Sequence, residues 1–332
     1  MPEREDHRLW QGALPPDLER VRAAASRLPL PPEPDWDAPR ARTSLPHPAT
    51  RPRTWLALAA AFVAVSGVAW IARDAWRVET VSGRPTLSGV AFAGRVALGG
   101  TLTTDATSRA RLEVPGLGDV TLEPGGCVRR VRGQGAERRL ELERGTLRAS
   151  ISAPPRLFVV GTRVGAAVDL GCAYTLTVDE AGKGRLEVTL GRVMFENRGE
   201  ESLLPAGLWC PLTTAGAGVP RRVHASESFL AAVAAADNPA CQADDVTALL
   251  ASAEAGDAIT LWHLLPRVRG QVRRQVAERF ASLVEVPKDV ALDRVLALEP
   301  GALEAWWDAL GVGTLEDWHG SGGRLKTGRP GR

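Results

Sequence analysis

Residues 138–151 read RRLELERGTLRASI. In RRLELE (138–143) polar and apolar residues alternate, and the alternation resumes in TLRASI (146–151). Successive strand side chains point to opposite faces, so such a segment gives a sheet one dry face and one wet face. Gly145 stands between the two runs. A glycine between apolar strand residues recurs in VTLGRVMFEN (188–197), as if one corner were used twice.

The pattern extends in both directions. RARLEV (109–114), DVTLEP (119–124), AAVDLG (166–171), AYTLTV (173–178), RLEVTL (185–190) and RVMFEN (192–197) are further short runs, separated by the turn signals VPGLGD, RGQGAE, DEAGKG and ENRGEE. Strands at roughly ten-residue spacing predict an all-β domain, a solenoid, roll or sandwich, over 79–215. Residues 225–318 change to helical periodicity. SESFLAAVAAAD opens on a serine cap, and Val276, Phe280, Leu283 and Val284 share one helix face. GSGGRLKTGRPGR ends the chain, and residues 319–332 read as a disordered tail.

Upstream, TWLALAAAFVAVSGVAWIA (54–72) holds no charge over 19 residues. As a helix it would be about 28 Å long, near the thickness of a bilayer's hydrocarbon core. Trp55 and Trp70 lie near its ends, where interfacial anchors are expected. Arg40, Arg42, Arg51 and Arg53 precede it and Arg73, Arg77 and Arg84 follow it, a slight bias that predicts a cytoplasmic N-terminus. Residues 1–53 hold one candidate helix, PPDLERVRAAASRL, and then a proline-rich linker. The expected fold class is therefore multi-domain: one transmembrane helix, then an all-β domain, then an α-helical C-terminal domain.

The 332 residues carry a formal net charge of +2. No bulk positive field argues for direct nucleic-acid binding. The five histidines, His7, His47, His224, His263 and His319, fall in no HExxH or nucleophile-elbow pattern, so no catalytic residue and no enzyme activity is expected. GKG (182–184) lacks the phosphate-loop spacing and reads as a hairpin. Cys127, Cys172, Cys210 and Cys241 show no zinc-ligand spacing, and no metal or cofactor is expected; in an oxidising compartment they allow three full pairings. Arg129, Arg130, Arg132, Arg138 and Arg139 gather around one β turn. They read as a solvated face or as a basic contact patch, since guanidinium forks pair carboxylates and phosphates. Trp262, Trp306, Trp307 and Trp318 read as core or as an interaction surface.

GGTLTTDATSRARLEVPGLGDVTLEPGG, LERGTLRASI, VVGTRVGAAVDLGCAYTLTV, LEVTLGRVMFEN and LLPAGLWC follow one another in an order that resembles the FecR domain, over about residues 80–215. The helical tail resembles an extension found on one bacterial subgroup of that family. The resemblance implies a single-pass bacterial inner-membrane protein with a cytoplasmic N-terminus and periplasmic C-terminal domains. It implies signal transduction of the anti-sigma type, with residues 1–53 contacting an extracytoplasmic-function sigma factor and the exported domains contacting envelope proteins or polymers. It also implies a Cys172–Cys210 disulfide. The family's longer N-terminal sigma-binding region has only residues 1–53 as its counterpart, and the helical tail stands where the family carries a plug-like domain. The alternative is a structural or adaptor protein that binds envelope components without a sigma factor.

Overall fold

A computed structural model describes residues 74–237 and 243–319. Residues 1–73, with Trp55, Trp70 and the expected span, lie outside the described residues, as do Cys241 and the last thirteen residues.

The described residues open with β1 (Trp76–Ser82), β2 (Thr86–Ser88), β3 (Ala91–Phe92), β4 (Arg95–Val96), β5 (Thr101–Thr103) and β6 (Arg109–Val114). Then come β7 (Gly118–Leu122), β8 (Cys127–Arg132), β9 (Arg138–Ile151), β10 (Phe158–Thr162), β11 (Gly165–Asp169) and β12 (Ala173–Val178). The last strands are β13 (Gly184–Leu190), β14 (Arg192–Asn197), β15 (Glu200–Pro205), β16 (Leu208–Thr213), β17 (Gly216–Ala217) and β18 (Arg221–Arg222). Among the described residues there follow the α-helices α1 (Glu227–Ala236), α2 (Ala243–Ser252), α3 (Ala258–Leu264), α4 (Gly270–Leu283), α5 (Leu292–Leu296), α6 (Pro300–Asp308) and α7 (Leu315–His319), with a 3-10 turn at Ala255–Asp257.

RRLELERGTLRASI is one strand, not two, and it organises the rest. Its first half lies in one sheet, antiparallel to β8 and parallel to β10. Its second half lies in another, between β7 and β12. The first sheet runs β2-β5-β8-β9-β10-β11-β14-β15. The second runs β1-β6-β7-β9-β12-β13-β16, with β17 and β18 on β16. Strands that switch sheets at a bend make the corners of such packings. Here the bend is at Gly145, whose φ is +96°. A Cβ there would lie 2.4 Å from the Cα of Gly126. Gly191 does the same work between β13 and β14: its φ is +71°, and a Cβ would lie 2.1 Å from the Gly171 carbonyl oxygen. The two glycine-centred stretches alike in sequence are two passages between the same pair of sheets.

The facing sides of the two sheets share one core, with Leu140, Phe158, Val160, Val193, Phe195 and Leu204 from the first meeting Leu112, Val120, Leu147, Tyr174, Leu176 and Leu186 from the second. The other side of the first sheet is also dry over β10, β11, β14 and β15. Val159, Val168, Met194 and Leu203 pack against the helices, in a second core with Phe229, Trp262, Phe280, Trp306, Trp307 and Trp318. The four tail tryptophans are core: Trp262 meets Trp307 edge-on at 4.8 Å, and Phe280 stacks on Trp306 at 5.0 Å. The architecture is three layers, with a mixed sheet in the middle.

This corrects the expected fold class. Among the described residues no helix is long and apolar enough to cross a membrane. The helix α4, 14 residues long, would span only about 21 Å, and it carries charges along its length. The helices pack on one another and on the middle sheet, so one core takes in both. That sheet is mixed through the parallel pair β9–β10, which simple meandering hairpins would not produce.

The passage from sheet to helices is pinned by charge. Buried Arg221 pairs with Asp237, whose other carboxylate oxygen accepts from the Val219 N–H. Arg222 donates to Asp257 at 2.8 Å and to Glu254 at 3.0 Å. The Ser226 hydroxyl accepts from the Phe229 N–H and caps α1, as the sequence suggests.

Candidate binding cleft

The hairpin between β8 and β9 places the arginines. Its register sets Arg130 opposite Leu140 and Arg132 opposite Arg138. Alternation then puts Arg130, Arg132 and Arg138 in one row on the face that Leu140 shows to the core. At the end of the sheet this row opens into a cleft of about 550 Å³, lined by Asp74, Trp76, Leu98, Arg130, Arg132 and Arg138, with Glu137 and Arg139 at the loop. Arg129 is not part of it. Its neighbour-face position sends it to Glu143 at 3.4 Å.

Arg130 is 5% exposed and fully engaged. It donates to the Asp74 carboxylate and to the Asp74 carbonyl, both at 2.5 Å, and lies 4.6 Å over the Trp76 ring. Burial lowers its pKa, while Asp74 opposes that shift by favouring the charged form. Arg139 is held by Glu141 at 2.9 Å and Glu137 at 3.3 Å. Arg132 and Arg138 have no acidic partner among the described residues. Like charges directly opposite on adjacent strands cost roughly a few tenths to 1 kcal/mol. The cleft therefore holds two cations that the fold itself does not neutralise. Sequence reading found four of its arginines but missed Asp74 and Trp76. They lie more than fifty residues upstream, and only β1 brings them to β8.

The expected Cys172–Cys210 bond is not formed. Cys127, Cys172 and Cys210 are free and buried. Cys210 pairs in register with Leu186, and Leu186 with Leu176, which places Cys210 two strands away from Leu176. Cys172 lies four residues back from Leu176, about 13 Å along the strand. A disulfide needs Cα atoms within about 7 Å. Cys172 instead donates its S–H to Asp169 at 2.6 Å, and the Gly171 N–H donates to the same carboxylate at 2.7 Å. This local turn locks the corner between β11 and β12. Burial, with Asp169 beside it, pushes the Cys172 thiol far above its usual range, so it is held as an unreactive thiol. Non-reducing peptide mapping after alkylation in denaturant should recover Cys172 and Cys210 as separately alkylated thiols; a linked peptide would refute this arrangement.

His263 is the buried histidine that the sequence reading did not single out. Its Nε2 accepts from the Leu203 N–H at 3.0 Å, on the edge strand β15. That bond requires Nδ1 to carry the proton, which it donates to the Ile259 carbonyl at 2.9 Å. The ring covers a backbone group that the sheet edge leaves unpaired and ties the middle sheet to α3. Among the described residues no group of three His, Cys, Asp or Glu side chains could hold a metal ion.

No family model and no curated relative matches the chain. Three chains of solved structures do. Two are crystal structures of a protein named putative anti-sigma factor, from Parabacteroides distasonis ATCC 8503, each 16% identical with a TM-score of 0.32. Each match covers 37% of this chain, and the chain spans 59% of theirs. A likeness of that degree assigns neither fold nor role.

Proposed function

We propose that this chain is a non-enzymatic regulatory protein of the FecR type. In this reading the β body receives a ligand or partner at its arginine cleft, and residues 1–53 bind a sigma factor of the extracytoplasmic-function class. The observation that carries the binding role is the pair Arg132 and Arg138, set opposite each other in an open cleft without acidic partners among the described residues. A second support is Asp74, whose carboxylate pairs with buried Arg130; it forms one wall of the cleft and sets Arg130 apart from the unpaired arginines. The order of motifs over residues 80–215 supplies the sigma-factor half of the reading, and residues 1–53 lie outside the described residues.

The test is a pull-down from a bacterial lysate with the intact chain, against a chain lacking residues 1–53. Retention of a sigma factor only by the intact chain is the expected result. Retention of none sinks the sigma-factor reading and leaves the adaptor alternative. Cytoplasmic placement of residues 1–53 belongs to the same proposal: a Leu30→Cys variant labelled by a membrane-impermeant maleimide in intact spheroplasts would overturn it.

A further inference from the structure

We propose that the cleft between β1 and the β8–β9 hairpin binds an organic phosphate, through the guanidinium groups of Arg132 and Arg138. The inference rests on the cleft being the binding site named above, and it specifies the ligand's chemistry. Four arginines and two acids line the cleft, and both acids are already engaged: Asp74 by Arg130, and Glu137 by Arg139. The uncompensated charge is thus the Arg132–Arg138 pair.

Geometry favours phosphate over carboxylate. A single carboxylate is satisfied by one guanidinium fork, whereas a terminal phosphate offers three oxygens and up to two charges, enough for two converging forks. Direct register opposition brings the Cβ atoms of such a pair to within about 5.5 Å, close enough for both forks to reach one phosphorus centre. The remaining wall is mixed. Trp76 and Leu98 give it apolar surface, and the Trp76 Nε1–H is a buried donor with no acceptor among the described residues. A volume near 550 Å³ exceeds what an inorganic anion fills and falls in the range of small-molecule sites. The fitting ligand carries a phosphate and an organic part that lies along that wall. Asp74, 55% exposed at the side chain, faces the same space and would repel the bound anion.

The test is calorimetric titration of the full chain with glycerol 3-phosphate and with pyrophosphate, alongside co-sedimentation with vesicles containing phosphatidic acid and phosphatidylcholine controls. Saturable binding of a soluble phosphate is expected. The double variant Arg132→Gln, Arg138→Gln should weaken it at least tenfold. Arg109→Gln, which removes a surface arginine on β6 paired with Glu123, should leave it unchanged. Asp74→Asn should tighten it severalfold. Vesicle binding that pyrophosphate displaces assigns the ligand to a lipid headgroup, and binding of the soluble phosphates alone assigns it to a free metabolite. Either supports the site. Three results would overturn it: no binding of any of these probes, equal binding by the double variant, or tighter binding of succinate than of pyrophosphate. Failure here with a successful sigma-factor pull-down removes only the ligand assignment. Phosphate binding with a failed pull-down removes only the sigma-factor reading.

Discussion

Gly145→Ala is expected to destabilise the protein by about 2–5 kcal/mol, a large share of the stability of an ordinary folded protein. Two costs add. A φ of +96° is a backbone conformation that a residue with a Cβ adopts only at a penalty of roughly 1–2 kcal/mol. The new Cβ would also lie 2.4 Å from the Gly126 Cα, and both atoms belong to backbone packed at the same corner, so neither can swing away. Overpacking of this kind costs about 1–3 kcal/mol. Gly116→Ala separates the two costs. Its φ is +73°, but nothing lies within 4 Å of the added atom, so only the backbone penalty of about 1 kcal/mol applies. Urea denaturation of the two variants and the parent measures the difference. Equal midpoints for the two variants would show that the Gly145–Gly126 contact is not what holds the corner.

The second large effect is in the acid range, where two buried groups oppose each other. Burial lowers the His263 pKa from 6.5 to about 3. The unfolded chain therefore binds a proton that the folded one refuses, and stability falls as pH drops from 6.5 towards 3. At 1.36 kcal/mol per unit the full loss is about 5 kcal/mol. Burial raises the Asp169 pKa from 3.8 to about 6, despite the hydrogen bonds from Cys172 and Gly171. The folded chain now binds the extra proton, so this group adds about 3 kcal/mol as pH drops from 6 to 3.8 and loses it as pH rises again. In the parent the two slopes nearly cancel between pH 6 and 4. Single variants separate them. Relative to the parent, Asp169→Asn should become progressively less stable on acidification, by about 3 kcal/mol across that window. His263→Gln should move in the opposite direction by a similar amount. Denaturant midpoints at pH 4, 5, 6 and 7 read both, and variants that keep the parent's pH slope would refute the buried states assigned to these residues.

Much of the sheet was legible because half-buried strands write their environment as alternation. RARLEV, AYTLTV and RVMFEN are β6, β12 and β14 to the residue. Phe158–Thr162 and Glu200–Pro205 carried no such signal. Their strands belong to the middle layer, where Val159 and Leu203 face the helices while Val160 and Leu204 face the other sheet. A strand dry on both faces has nothing to alternate. The same layer explains the corrected fold class: only contact between the helical faces and the sheet's second side shows that the two share a core.

The candidate cleft divides along the same line. The arginine cluster around a β turn was visible in residues 129–139, because hairpin neighbours in sequence are neighbours in space. Which arginines were free was not. Arg130 is paired with Asp74, Arg139 with Glu141 and Glu137, and Arg129 with Glu143, so of this cluster Arg132 and Arg138 are left without an acidic partner among the described residues. The family resemblance implies a Cys172–Cys210 staple, yet register places Cys210 two strands over and four residues along.

The sequence by itself determined the local facts: strand and helix periods, the serine cap of α1, the glycine corners and the basic turn. Each depends on residues within one turn or one hairpin. Tertiary structure alone decided that β9 serves two sheets, that Cys172 bonds Asp169 rather than Cys210, that His263 covers a sheet edge sixty residues away, and which two arginines of the basic turn have no acidic partner among the described residues. Those outcomes depend on which distant backbone comes alongside, and register between strands far apart in sequence leaves no mark on either strand alone.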